Sequence, residues 1–283
     1  MTGLRSAAGW LLGFAILAGT VSDVAPKNPP LVLGGYRVLA ADFHVHSFPL
    51  SWATLGPWDT VLEARHQGLD AIALTPHNHV WVAKAGRWFS RRIGGPTVLV
   101  GEEIHAARFH MLAVGIEATV DWRQSVAGAI DEVHKQGGVA IAAHPVAESW
   151  PAYDAESMRD LDGAEVLQPI AYTSEQATRE LREFYGRKRL TAIGSSDYHG
   201  PGPLGLCRTY VFVREDTEQG ILEALREGRT VVYDRGQVFG DPEMIELGPA
   251  LRESGSSEAV LVGLLKVFSR VAGIVGLIGL LVF

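Results

Sequence analysis

The sequence predicts an α/β fold in which parallel strands and crossover helices build a barrel, and three observations carry that prediction. Short apolar, β-branched runs alternate with longer helix-like segments between residues 37 and 235, the pattern of repeated strand, helix and strand. Five stretches, DFHVHS, LTPHN, GEEIHAARFH, AAHP and SSDYH, set His, Asp and Glu at the ends of those runs, and in barrels the C-terminal strand ends form the rim that carries the site. The 283 residues suffice for one barrel of about 250 residues or for two smaller domains.

The elements follow in chain order. Residues 1–24 contain an uncharged run, AAGWLLGFAILAGTV at 7–21, which reads as a signal segment or a short membrane anchor. Residues 25–36, with Pro26, Pro29, Pro30, Gly34 and Gly35, read as a linker. Strands are expected over 37–43, 70–74, 97–101, 109–114, 139–143, 163–167, 190–194 and 208–213. Helices are expected between them, over 58–67, 79–90, 124–136, 174–186 and 217–227. Ser174 is placed to cap the fourth helix, with Glu175 in its first turn, and Gly137 and Gly138 follow the third where a left-handed cap is needed. A second linker covers 236–258, and residues 259–283 are long enough to span a bilayer, with Lys266 and Arg270 on one helical face. The two apolar ends thus predict membrane attachment, their other reading being buried or oligomer-forming helices. Arg5 ahead of the first run favours a cytoplasmic N-terminus with the domain outside, whereas Lys266 and Arg270 pull the other way for the second helix.

Composition narrows the function. A net charge of −7 and a pI near 5.8 lack the basic footprint of a protein that grips long nucleic acid, whereas a small anionic substrate is readily accommodated. The single cysteine, Cys207, excludes an intrachain disulfide.

The candidate site residues are those at strand ends. His44 and His46 are two apart, so an extended backbone points both to one side. His77 follows AIALT. Glu103 follows VLVGE, and His110 opens MLAVG, as in a hairpin whose two strands meet at one rim. His144 ends VAIAA, and Asp197 with His199 repeats the spacing of two. Imidazoles and carboxylates grouped in this way suit a divalent metal cluster. Glu102 and His105 are expected to flank the site, and His66 and His134 to sit on solvated helix faces. Arg208, at the start of a strand, reads as a phosphate-binding cation or as a salt-bridge partner.

The order HxH, xxHN, GxEI followed by a His, HP and SDxH resembles the PHP family, named for polymerase and histidinol phosphatase domains, over residues 38–235. The resemblance implies a distorted (β/α)7 TIM-like barrel, here flanked by an N-terminal and a C-terminal hydrophobic helix. It also implies two or three divalent metal ions, manganese, iron or zinc, at the rim. Carried over by motif, His44, His46, Glu103 and Asp197 surround one metal, Glu103 bridges to a second held by His110 and His144, and His77 and His199 serve a third. Two residues depart from the pattern: Ser51 stands where an Asp or a nearby His is common, and Pro76 where an Asp usually precedes His77. Both fall at the third position, where His79 is a candidate substitute. The implied activity is hydrolysis of a small phosphorylated or nucleotide-like substrate by a metal-bound hydroxide, with His199 giving the leaving group its proton and Arg208 holding the phosphate. The alternative is a catalytically weakened metal-binding module, sensory or scaffolding, attached to the membrane. A hydrolase of the amidohydrolase kind is disfavoured, since no strand ends in the lysine it usually carboxylates.

Overall fold

The computed structural model describes residues 2–22, 30–49, 51–200, 202–248 and 260–282. Helix α1 (Thr2–Ser22) is followed by strand β1 (Leu31–Leu33), which turns at Gly34 and Gly35 into β2 (Tyr36–Val45). Next come α2 (Pro57–His66), β3 (Ala71–Leu74), α3 (Trp81–Ile93), β4 (Thr97–His105), β5 (His110–Val114), α4 (Val126–Lys135) and β6 (Val139–Ala142). They lead to α5 (Ala155–Asp160), β7 (Gly163–Leu167), α6 (Glu175–Tyr185), β8 (Thr191–Gly194), β9 (Thr209–Val213) and α7 (Glu218–Arg226). The chain continues through β10 (Thr230–Asp234), β11 (Gln237–Gly240), α8 (Pro242–Leu247) and α9 (Val260–Val282).

One sheet runs β11-β10-β9-β2-β3-β4-β5-β6-β7-β8, with β1 on the side of β2. Strands β2, β3 and β4 are parallel, as are β6, β7 and β8. The antiparallel β5 joins those two groups, and β9 returns antiparallel along β2. The sheet curls nearly shut, and side chains stitch its ends. Thr209 on β9 both donates to Gly194 O (2.8 Å) and accepts from Gly194 N (2.9 Å) on β8. Thr230 on β10 donates to Ala192 O of β8 at 2.8 Å. The expected α/β barrel is therefore present.

Alternation along the strands divides the packing. Leu39, Ala41, Phe43, Ala73, Leu99, Ile141 and Ile193 share a core with Ile221 and Leu225 of α7. Ile72, Leu74, Val98 and Val100 point the other way, to Val61 of α2 and Ala83 of α3. Because β3, β6, β7 and β8 are buried on both faces, they read as continuous apolar runs, as buried parallel strands do. The helices begin where hydroxyls cap them: Ser125 for α4, Ser174 for α6 and Thr217 for α7. Helix α4 ends at Gly137, whose φ of +76° is the left-handed conformation open to glycine.

The ends of the chain, residues 1–28 with 254–283, form one compact unit, and residues 29–253 form another. Within the first, α1 and α9 pack closely: Ser269 Oγ donates to Ala15 O at 2.6 Å, and Ala8, Ala15 and Ala272 are buried. A Cβ on Gly276 would stand 2.8 Å from Leu12 N, so only glycine permits that approach. Among the described residues no helix is long and apolar enough to cross a membrane. That overturns the expected membrane attachment and, with it, the extracytoplasmic placement of the domain. Apolar side chains of the two helices are used in part against each other. The segment from 236, expected as a linker, carries β11 and α8, whose Met244 packs against Phe212 and Val231. Residues 25–29 and 249–258 of the two expected linkers lie outside the described residues.

Candidate metal centre

The rim gathers all eight of the metal-type residues singled out above. The register of β2 against β3 shifts between Asp42 and Val45, and beyond that shift His44 and His46 turn to the centre of the rim, an irregularity typical of strands that aim side chains into sites. Their Nε2 atoms lie 2.9 Å apart. Both face Asp197 Oδ1, at 3.3 and 3.1 Å, and Glu103 Oε2, at 3.6 and 3.5 Å. Glu103 Oε2 also meets His77 Nε2 at 3.0 Å. On its other side, Glu103 Oε1 stands 2.9 Å from His110 Nδ1 and 3.3 Å from His144 Nε2. His199 stacks on His46 with ring centroids 4.0 Å apart.

Local backbone explains these positions. Glu103 leaves β4 and His110 enters β5 at the same rim because the pair is antiparallel, with His105 opposite His110. His144 and Asp197 hold φ of +28° and +46°, a costly conformation that the site retains at the ends of β6 and β8. Asn78, at φ +54°, clamps the turn after β3 onto β4. It accepts from His105 N at 2.9 Å and donates to His105 O at 3.1 Å.

A second ring of groups orients the first. Buried Glu165 of β7 takes His44 Nδ1 at 2.8 Å and His144 N at 2.6 Å, and Ser195 Oγ donates to it. That contact orients the His44 ring through Nδ1 and turns its Nε2 to the rim. Asp42 accepts from His44 N, Ser196 N and Gly205 N at 3.2, 3.0 and 3.0 Å, and burial pushes its carboxyl up to about 6. Gln168 donates to Asp197 Oδ2 at 2.9 Å. Ser51 Oγ pairs with His46 Nδ1 at 3.1 Å and accepts from His77 N at 3.2 Å. It therefore supports two imidazoles rather than supplying the missing carboxylate. Glu165, Asp42 and Gln168 were not singled out from sequence, although an acid inside the apolar runs GAEVL and AADF was a readable signal.

Electrostatics and donor spacing both fit divalent cations. Burial opposes charge on His44, yet Asp197, Glu165 and Glu103 outweigh it and lift its pKa well above the imidazole norm. Burial, with His44 beside it, pushes His46 down to about 3. Against the burial that would raise them, Glu103 and Asp197 are held well below the usual carboxylate range, chiefly by His44. Glu103, Glu165 and Asp197 converge on His44, a concentration of negative charge that suits a cation. Donors ringing a cation at roughly 2.0–2.2 Å stand about 3.0–3.5 Å from one another, close to the spacings around Glu103 Oε2. Buried Glu103 Oε1 and His110 Nδ1, though near each other, are not aligned for a hydrogen bond and make none elsewhere among the described residues, as expected of two lone pairs that converge on an ion. Four groups draw their donor atoms within 4.8 Å: His44 with His46 and Asp197; His44 with Glu103 and His144; His46 with His77 and His199; and His77 with Glu103 and His105.

The remaining sequence candidates lie elsewhere. Arg208 donates to the backbone carbonyls of Gly205 (3.1 Å) and Gln67 (3.5 Å); Gln67 precedes β3 at the end of the barrel opposite the rim. This correction follows from its position ahead of β9, which runs against β2. His79 is exposed and belongs to none of the clusters among the described residues. His105 is half-exposed, with its Nδ1 3.9 Å from Glu103 Oε2, and so flanks the cluster.

A barrel whose rim brings imidazoles and carboxylates around one shared glutamate defines a protein with a metal-type centre. The comparisons with known proteins agree. Residues 175–230 match the family profile described as PHP-associated. The chain is similar to a solved two-domain protein of Bacteroides vulgatus, described as containing a predicted PHP-like metal-dependent phosphoesterase. The identity is 27%, the TM-score 0.64, and the match covers 79% of this chain and 73% of that one. It is also 27% identical over 141 residues to an uncharacterized protein of Methanocaldococcus jannaschii, covering 46% of this chain and 81% of the relative. The PHP-associated profile and the solved relative thus support the resemblance to the PHP family read from the motifs.

Proposed function

We propose that this protein is a metal-dependent phosphoesterase acting on a small phosphorylated substrate. The observation that carries the reading is the Glu103 carboxylate, whose Oε2 faces His44, His46 and His77 while Oε1 faces His110 and His144. One carboxylate thus serves two adjoining donor sets. His44, His46, Asp197 and Glu103 would hold one divalent ion, Glu103, His110 and His144 a second, and His77 with His199 a third. Bound there, manganese, iron or zinc supplies a Lewis acid for the phosphoryl oxygens and acidifies water.

The chain's own groups do the rest. Hydrolysis forms a phosphorus–oxygen bond from water and breaks the one to the alcohol, which must leave with a proton. With only the first two positions filled, His199 is free to hand over that proton: its Nδ1 bonds Asp197 O at 3.0 Å, which leaves Nε2 for the leaving group. Arg108, exposed in the turn from β4 to β5, makes no hydrogen bond or ion pair among the described residues, and takes the place of Arg208 as the cation for a phosphate. A second reading, a metal-binding module without turnover, is favoured by Ser51, which leaves the third position with fewer donors.

The test is elemental analysis of the purified chain together with hydrolysis of a phosphomonoester and a phosphodiester, for the wild type and for Glu103→Ala. Two or more divalent ions per chain, with turnover lost in the variant, is the expected result. Bound metal without turnover selects the second reading, and a metal-free chain that binds no added ion removes both.

A further inference from the structure

We infer that Phe48 and Trp52 form a stacking subsite for a planar aromatic group in the alcohol part of the substrate, an inference that rests on the phosphoesterase reading. The two rings lie on the segment that follows His46, and their side chains are 56% and 95% exposed. Exposure alone would say little, but this segment is built into the site. Phe48 N donates to Leu55 O at 2.8 Å, and Thr54 N donates to His199 O at 3.0 Å. Ser51 Oγ contacts both His46 and the backbone of His77. Ser51, Ala53 and Leu55 are buried, so the small residues of the segment turn inward and the two large rings turn out.

Trp52 is therefore one residue from a group that touches the His46 ring and the His77 backbone, and two from the residue bound to His199, about 4–7 Å along the backbone. A ring carried on the chain that near a phosphoryl site suits the part of an ester just beyond its phosphorus. Two aromatic side chains offer at most about 500 Å², short of the roughly 800 Å² per partner of a stable protein interface. Aromatic side chains bind flat rings by stacking without hydrogen-bond readout, so an aryl phosphate and a nucleoside monophosphate share the required chemistry.

The experiment compares 1-naphthyl phosphate, 5′-adenosine monophosphate and glycerol phosphate as substrates of the manganese-loaded full chain. Trp52→Ala, Phe48→Ala and Trp52→Phe are measured beside Trp88→Ala, an exposed tryptophan two turns into α3. Stacking predicts that Trp52→Ala lowers the kcat/KM ratio of a ring-bearing substrate over glycerol phosphate at least about fivefold, mainly through KM. Trp52→Phe retains most of the ratio, and Trp88→Ala leaves it unchanged. A loss confined to 1-naphthyl phosphate identifies an aryl ester, and one confined to the nucleotide identifies a nucleoside. Equal losses for all three substrates, or none, overturn the subsite. If the wild type hydrolyses no ester, the phosphoesterase reading fails. The subsite is then read by saturation transfer to the ring protons of 1-naphthyl phosphate, where loss in Trp52→Ala but not Trp88→Ala supports it and an unchanged signal overturns it.

Discussion

Glu102 and Glu103 are neighbours on one strand, yet strand alternation gives them opposite surroundings. Glu103 meets the imidazoles of the rim. Glu102 lies buried behind it, accepting from Val120 N at 2.6 Å, and its other oxygen has no hydrogen-bond partner; burial pushes its carboxyl up to about 7. The same dependence on surroundings yields a test away from the site, at His134 of α4. Its Nε2 bonds Asp162 Oδ2 at 2.7 Å, and this hydrogen bond raises its pKa above the ordinary 6.5. The folded protein thus keeps a proton that the unfolded chain releases near pH 6.5. The stabilisation is fully present below that pH and is lost as pH rises through the folded value. Since the pair is half-exposed, screening holds the effect below about 1 kcal/mol. In urea titrations, His134→Gln is expected to be less stable than wild type at pH 5.5 and nearly equal at pH 8.5; a gap that is constant with pH would contradict the assignment.

At the scale of elements, the hairpin of β4 and β5 delivers two donors at once, and Gly101 sets how closely its strands approach. A Cβ there would stand 2.6 Å from Ala113 O and 3.2 Å from Thr75 Cγ2. Gly101→Ala must push β4 away from β5 or from the end of β3, at a cost of about 1–3 kcal/mol. The displacement should reach Glu103, so bound metal per chain, measured by elemental analysis, should fall along with the urea midpoint. The glycine of the GxEI motif thus has a steric reason. The eight strands expected from sequence lie where β2 to β9 are found, since each is an apolar run between clear breaks. The stretches at α5 and α8 are six residues long, too short to show helical periodicity. Strand β11, QVFG, is exposed to partly buried along its length and shows no alternation. Among single residues, the ligand-type histidines were legible because little else places imidazoles at strand ends. Arg208 was misplaced because a residue's number says nothing of which barrel end its strand starts from. Glu165 was overlooked because its role depends on which ring it meets across the barrel.

For the whole molecule, closure depends on a seam with few backbone ladder bonds. Thr209→Val keeps the shape of the side chain but removes both contacts with Gly194, leaving a buried N–H and a buried carbonyl without their partner. The expected cost is about 2–4 kcal/mol, seen as a lower urea midpoint with little change in slope. Thr230→Val, which loses one contact, should cost less, and equal effects would argue against hydroxyl stitching.

That seam also bears on behaviour outside the folded molecule. A strand whose amides and carbonyls lack a neighbour is a template for strands of other chains, and proteins survive with such edges by covering or blunting them. Here hydroxyls of the same chain occupy Gly194 N, Gly194 O and Ala192 O of β8. The threonines thus act as an internal guard against self-association, shielding the edge of β8 from intermolecular pairing.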